Sequence, residues 1–178
     1  FSHMPFSKTF NSKNAFKTAS FEEAKTRLLY GIGKEDVMMI SGPVGSGKSV
    51  VLRSLIHSID NNTFIPIYVR GTALKESDLY KSILVGLNIS PPHFPGTAKR
   101  LFFSHIPELS KTPLVIIDDA QEMADNALMC IKSMTNFEFD SKCCLSFILS
   151  GQPELRSRLK LTQFMALTQR IRIFFHMK

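Results

Sequence analysis

The sequence predicts an α/β domain built on a mostly parallel sheet of five strands, and three observations lead there. Short apolar runs without polar alternation read as strands buried on both faces. Segments of helical spacing lie between those runs, and alternating strands and helices favour parallel pairing. The 178 residues, 44% of them apolar, suffice for one sizeable core and fall short of two.

The opening "FSHM", Phe1 to Met4, reads as a cloning scar, which leaves residues 5–178 as the domain. Ser20-Phe21-Glu22-Glu23 has the spacing of a capping box, and "FEEAKTRLLY" continues in good helix formers until Gly31 stops the helix. "VMMI" (37–40) is the first strand, and a helix from Lys48 to Ile59 follows with Val51, Leu55 and Ile59 on one face. "FIPIYV" (64–69) is the second strand, and Pro66, lacking a backbone donor, puts it at or near a sheet edge. Leu79, Ile83 and Leu87 mark a helix, and the proline-rich "SPPHFPG" (90–96) separates it from one carrying Leu101, His105 and Leu109. "PLVIID" (113–118) is the third strand, and Leu128, Ile131 and Met134 mark the helix after it. "CLSFILS" (144–150) is the fourth, and "IRIFFHM" (171–177) is the fifth, with no helix beyond it.

Twenty-two basic residues against 15 acidic ones give a formal charge of +7, which favours a polyanionic partner such as nucleic acid or an anionic surface. Three cysteines, two of them adjacent (Cys143 and Cys144, besides Cys130), make a poor disulfide framework and suit a reducing cytoplasm. No apolar stretch approaches the roughly 18 residues that span a bilayer. His57 and His105 have no partner at metal-ligand spacing, and the 15 phenylalanines lie mostly in apolar runs as packing residues.

Between the first strand and its helix stands "GPVGSGKS" (42–49). Gly42, Gly47, Lys48 and Ser49 fit the spacing G-x-x-x-x-G-K-[ST] in the strand-loop-helix context that gives this motif its specificity. The glycines let the backbone curl so that N–H groups converge on phosphate oxygens. Lys48 brings a point charge to the outer phosphates, Ser49 offers its hydroxyl to Mg²⁺, and the helix directs its positive end at the anion. The expected phosphate cradle is Gly42, Pro43, Val44, Gly45, Ser46, Gly47, Lys48, Ser49 and Val50.

"LVIIDDAQ" (114–121) ends in two carboxylates where ligands gather in open α/β sheets, at the carboxyl end of a strand. Asp118 then holds Mg²⁺ with Ser49, and Asp119 faces the attacking water. The same pair also suits the cap of a following helix. In "FILSGQPELRSRL" (147–159), Ser150 and Gln152 can sense the γ-phosphate or its water; equally, Gly151 and Pro153 can simply turn the chain into a helix begun by Glu154. Arg170 and Arg172 are candidates for a charge lent to a neighbouring subunit, and spacing singles out neither.

Together these motifs resemble an AAA+ ATPase. More narrowly, "PFSKTF", "EEAKTRLLYGI", "GPVGSGKS", "VIIDDAQEM", "LMCIKSMTNFEFDS", "ILSGQPELRSRL" and "ALTQRI" resemble the ExeA-like branch over about Pro5 to Met177. That branch includes secretion-pathway ATPases and the ATP-binding helpers of transposons, and "TNFEFDSK" and "GQPELRSRL" resemble the helpers more. The resemblance implies a three-layer αβα P-loop domain, normally followed by a helical lid, with ATP held between the subunits of a ring or filament. Lys48 and Ser49 match its Walker A residues, Asp118 its Walker B aspartate, and Arg170 its arginine finger. The lid is expected to be missing or truncated here.

The family usually has Asp-Glu where this chain has Asp118-Asp119, so the water-orienting carboxylate is one methylene shorter. A misplacement of about 1 Å costs on the order of 10²-fold in rate, so slow hydrolysis is expected. The expected function is a slow, Mg²⁺-dependent ATPase that binds duplex DNA, oligomerises and works with a transposase. The alternatives are a secretion-pathway ATPase with an envelope partner and a nucleotide-binding scaffold that never turns over.

Overall fold

All five strands run parallel in one sheet of order β2-β3-β4-β1-β5 in the computed structural model, which describes residues 18–136 and 143–178. The strands are β1 (Val37–Ser41), β2 (Phe64–Arg70), β3 (Thr112–Asp118), β4 (Ser146–Gly151) and β5 (Ile171–His176). The readings placed on Phe1 to Met4, on "PFSKTF" and on most of "TNFEFDSK" lie outside the described residues.

The helices are α1 (Ala19–Gly31), α2 (Lys48–Ile56), α3 (Glu76–Gly86), α4 (Pro95–His105), α5 (Asp125–Met134), α6 (Pro153–Leu159) and the single turn α7 (Met165–Thr168). They form two layers because successive strand residues point to opposite faces. Met38 and Ile40 of β1, with Leu114, Ile116 and Ile148, pack under Leu28 of α1 and Val51 and Leu55 of α2. Val37, Met39, Val115, Ile117, Phe147 and Leu149 pack against Leu79 and Ile83 of α3, Phe102 of α4, Ile131 of α5 and Leu155 of α6. The result is the three-layer αβα sandwich.

Several boundaries differ from the sequence reading, each for a local reason. The first helix is capped two residues before Ser20, by Thr18, whose hydroxyl accepts the Phe21 N–H at 3.2 Å. The second helix stops at Ile56 rather than Ile59. The last proline of "SPPHFPG" opens α4, since Pro95 occupies its first turn, where no N–H is needed. β1, β3 and β4 are buried almost throughout, but β2 and β5 are only partly so because they are the two edges. Pro66 therefore does sit on an edge strand. On the other edge the β1–β5 register shifts between Val37, opposite Ile171, and Met38, opposite Ile173, so Arg172 bulges.

Cys130, Cys143 and Cys144 are free thiols; burial pushes Cys130 up to about 12 and Cys143 up to about 11, which keeps both protonated. No helix of the described residues is long and apolar enough to cross a membrane.

Because every strand points the same way, the carboxyl ends of β1, β3 and β4, with Ser41, Asp118 and Gly151, lie together at one end of the sheet. β4 is the strand that joins β3 to β1, and its second residue, Phe147, is fully buried. Phe147→Ala is expected to cost about 3–5 kcal/mol, read as a lower urea midpoint at unchanged slope.

Candidate functional site

The loop after β1 turns on backbone conformation. Gly47 sits at φ 92°, ψ 10°, and Gly45 at φ 82°, in the left-handed region that side chains resist. From Gly47 the chain enters α2 directly, with the Val50 and Val51 amides donating back to its carbonyl at 2.9 and 3.0 Å. The amides of the first turn of α2 have no carbonyl four residues earlier in that helix, so they face the loop with positive partial charge. Lys48 Nζ donates to the loop's own Gly42 and Pro43 carbonyls at 2.7 and 2.8 Å. Burial pulls its pKa below the usual lysine range, while the charges of Asp118 and Asp119 act the other way. Lys48 and the two carboxylates thus share one electrostatic neighbourhood. Ser46 Oγ is buried without a hydrogen-bond partner among the described residues, and Ser49 is exposed.

β3 stands two strands from β1, about 9.5 Å away. Its terminal Asp118 is held from three directions: Oδ1 accepts the Ser150 hydroxyl at 2.8 Å and the Asp119 amide at 3.1 Å, and Oδ2 accepts the Tyr68 hydroxyl at 3.3 Å. Burial pushes the Tyr68 phenol up, and the Asp118 charge and hydrogen bond push the same way. Asp119 is exposed at φ 53°, ψ 41°, a left-handed position that aspartate tolerates better than most residues. Its Oδ1 accepts Gln121 Nε2 at 3.2 Å, and Gln121 Oε1 accepts the Gln152 amide at 3.0 Å.

The expected residues are therefore mostly, not wholly, gathered. Gly42 to Val50, Asp118, Asp119, Ser150 and Gln152 share the carboxyl end of the sheet. Ser150, expected as a sensor, is fully buried and donates its hydroxyl to Asp118 Oδ1. Arg170 lies at the other end: it precedes β5, whose six residues span about 20 Å. It pairs with Asp36 Oδ2 at 3.3 Å and approaches Thr135 Oγ1 at 3.4 Å, with its side chain 15% exposed. It cannot serve the phosphate loop of its own chain.

Sequence reasoning missed Tyr68 and Gln121. Tyr68 reaches Asp118 across 50 positions of sequence, from the half-buried edge strand, and nothing in "FIPIYV" marks it as polar-facing. Gln121 stood inside a quoted motif, but no spacing rule gives a glutamine there a role. Gly71 was missed as well: a Cβ on it would fall within 2.8 Å of the Asp119 carbonyl carbon.

A parallel sheet whose first strand runs into a left-handed Gly-Lys-Ser loop, with an anchored aspartate two strands away, defines a P-loop nucleotide-binding protein. The chain belongs to the AAA domain family, whose model matches residues 32–159. Over 99% of its length it is 30% identical to General secretion pathway protein A of Aeromonas hydrophila, of which it spans 33%, in keeping with the ExeA-like resemblance of its motifs. Among solved structures it is similar to Cdc6p from Pyrobaculum aerophilum, with TM-score 0.71 and 20% identity over 86% of this chain and 44% of that one. It is likewise similar to the Aeropyrum pernix ORC1 protein in complex with DNA, with TM-score 0.66 and 14% identity over 90% and 44%. These structural matches are matches of fold.

Gly71→Ala is expected to cost about 1–3 kcal/mol, because the new methyl meets the backbone of Asp119 rather than a yielding side chain. Thermal unfolding measures it, and a Tm unchanged from the parent protein would contradict the close packing of the β2 and β3 ends.

Proposed function

We propose that the protein binds Mg²⁺-ATP at this site and hydrolyses it slowly, as an ATP-gated switch that assembles on duplex DNA and serves transposition. The observation that carries the reading is the convergence of Lys48, Asp118 and Asp119 at the mouth of the Gly42 to Ser49 loop. The residues fit the ligand. Ser46 Oγ is a buried hydroxyl with no described partner, the first two amides of α2, of Lys48 and Ser49, have no helix carbonyl to donate to, and among the described residues Lys48 bonds loop carbonyls. Oxygen donors suit magnesium, and Ser49 with Asp118 are the pair that would hold it.

When bound, the nucleotide and its metal supply the cleavable phosphoanhydride and most of the charge neutralisation. The protein's part is to hold and orient. Lys48 and the loop amides would hold the outer phosphates, and Ser150, Tyr68 and the Asp119 amide fix the Asp118 carboxylate in one orientation. Asp119 would orient the attacking water from one methylene further back than a glutamate, which supports slow turnover and a long-lived ATP state. Arg170, about a strand's length from its own loop, would act only on the nucleotide of a neighbouring copy in a ring or filament. The DNA partner is supported by the charge of +7 and by the solved relative described in complex with DNA. The transposase partner rests on the motif resemblance, and the cytoplasmic location on the three free cysteines.

A second reading, an ATPase that assists envelope assembly beside a membrane partner, is favoured by the similarity to General secretion pathway protein A. A third, a scaffold without turnover, is decided by phosphate release.

Lys48→Ala is expected to weaken binding of a fluorescent ATP analogue at least about tenfold, by equilibrium titration. Asp119→Glu is expected to raise single-turnover hydrolysis by the assembled protein; a rate no faster than the parent's contradicts the switch reading. ATP is expected to promote oligomers on duplex DNA, with log affinity falling linearly in log salt. Binding that ignores salt favours the envelope reading.

A further inference from the structure

We propose that Gln121 is a positioning residue that sets the Asp119 carboxylate, a role that rests on Asp119 orienting the attacking water. The backbone of Asp119 is pinned, its amide on Asp118 Oδ1 at 3.1 Å and its carbonyl accepting the Glu122 amide at 2.9 Å. Its side chain is exposed, and among the described residues one hydrogen bond holds it: Gln121 Nε2 donates to Oδ1 at 3.2 Å. Oδ2 makes no hydrogen bond to the described residues, which leaves that oxygen turned outward.

Gln121 itself has no freedom to wander. Its Oε1 accepts the Gln152 amide at 3.0 Å, and its backbone carbonyl accepts Arg158 Nη1 at 2.9 Å. Arg158 is in turn paired with Asp125, the first residue of α5, whose carboxyl it holds below the usual range. The carboxamide has one workable orientation. Flipped, its oxygen would face the Asp119 carboxylate and its NH₂ would face the Gln152 N–H, repulsive on both sides. The β4–α6 turn thereby fixes the amide, and the amide fixes Asp119. A carboxylate already one methylene short has little tolerance for rotamer drift, since small misplacements of a reacting group cost large factors in rate.

The test separates positioning from mere packing. Gln121→Glu keeps an acceptor for the Gln152 amide and sets a negative charge against Asp119, so a packing role leaves it near the parent rate and a positioning role does not. Gln121→Ala and Gln121→Glu are each expected to lower kcat about tenfold or more, with KM and ATP-analogue affinity within about twofold. In an Asp119→Asn background, Gln121→Ala is expected to add no further loss. In the nucleotide-free protein, the Gln121 side-chain NH₂ resonance, assigned by its disappearance in Gln121→Ala, is expected to move in Asp119→Ala.

An active Gln121→Glu enzyme, an additive loss in the double variant or an unmoved resonance overturns the proposal while leaving the hydrolase reading intact. A parent protein without turnover overturns both, whereas an Asp119→Asn variant at the parent rate overturns the water-orienting role of Asp119 and this proposal with it.

Discussion

A parallel sheet has two unlike ends, and the chemistry of this protein depends on that asymmetry. Ser41, Asp118 and Gly151 are neighbours in space although up to 110 positions separate them in sequence, because β1, β3 and β4 pair in register and in one direction. Reversing one of these strands would carry its functional residue to the far end of the sheet, as Arg170 shows by lying there. The two apolar layers that cover the sheet make reversal costly, since each buried strand must satisfy both faces at once.

On that frame the site is assembled by hydrogen bonds that order charge. Asp118 is gripped from β2, β4 and the Asp119 amide, and Lys48, partly out of water on the Gly42 and Pro43 carbonyls, feels the charge of two carboxylates. Burial alone disfavours the ammonium, and the carboxylates offset part of that cost. Gly45 and Gly47 take left-handed conformations without strain, and Asp119 takes one at some cost, each where the chain must turn sharply at a strand end.

Much of this was legible in the sequence. The Gly-Lys-Ser loop can be read because its chemistry needs particular residue types at fixed spacing, and Asp118 because an apolar run stops on a carboxylate. Five strands were visible as uninterrupted apolar runs, and Pro66 announced an edge. What could not be read depends on distant partners. Ser150 looks the same in sequence whether its hydroxyl faces a ligand or Asp118, and only the β3–β4 register decides. Arg170 gives no hint of Asp36, 134 positions away. The cap lies at Thr18 rather than Ser20 although both residue types can cap, and it is the Thr18 hydroxyl that accepts the Phe21 N–H.

The two rims of the sheet are both spoiled for further pairing, by a proline on β2 and by a bulge bearing an arginine on β5. Copies lying side by side therefore cannot splice their sheets into one continuous ribbon. Contact between them falls to side chains and loops, which can slip, tilt and re-engage without breaking a backbone ladder. An assembly joined this way would be one that comes apart again.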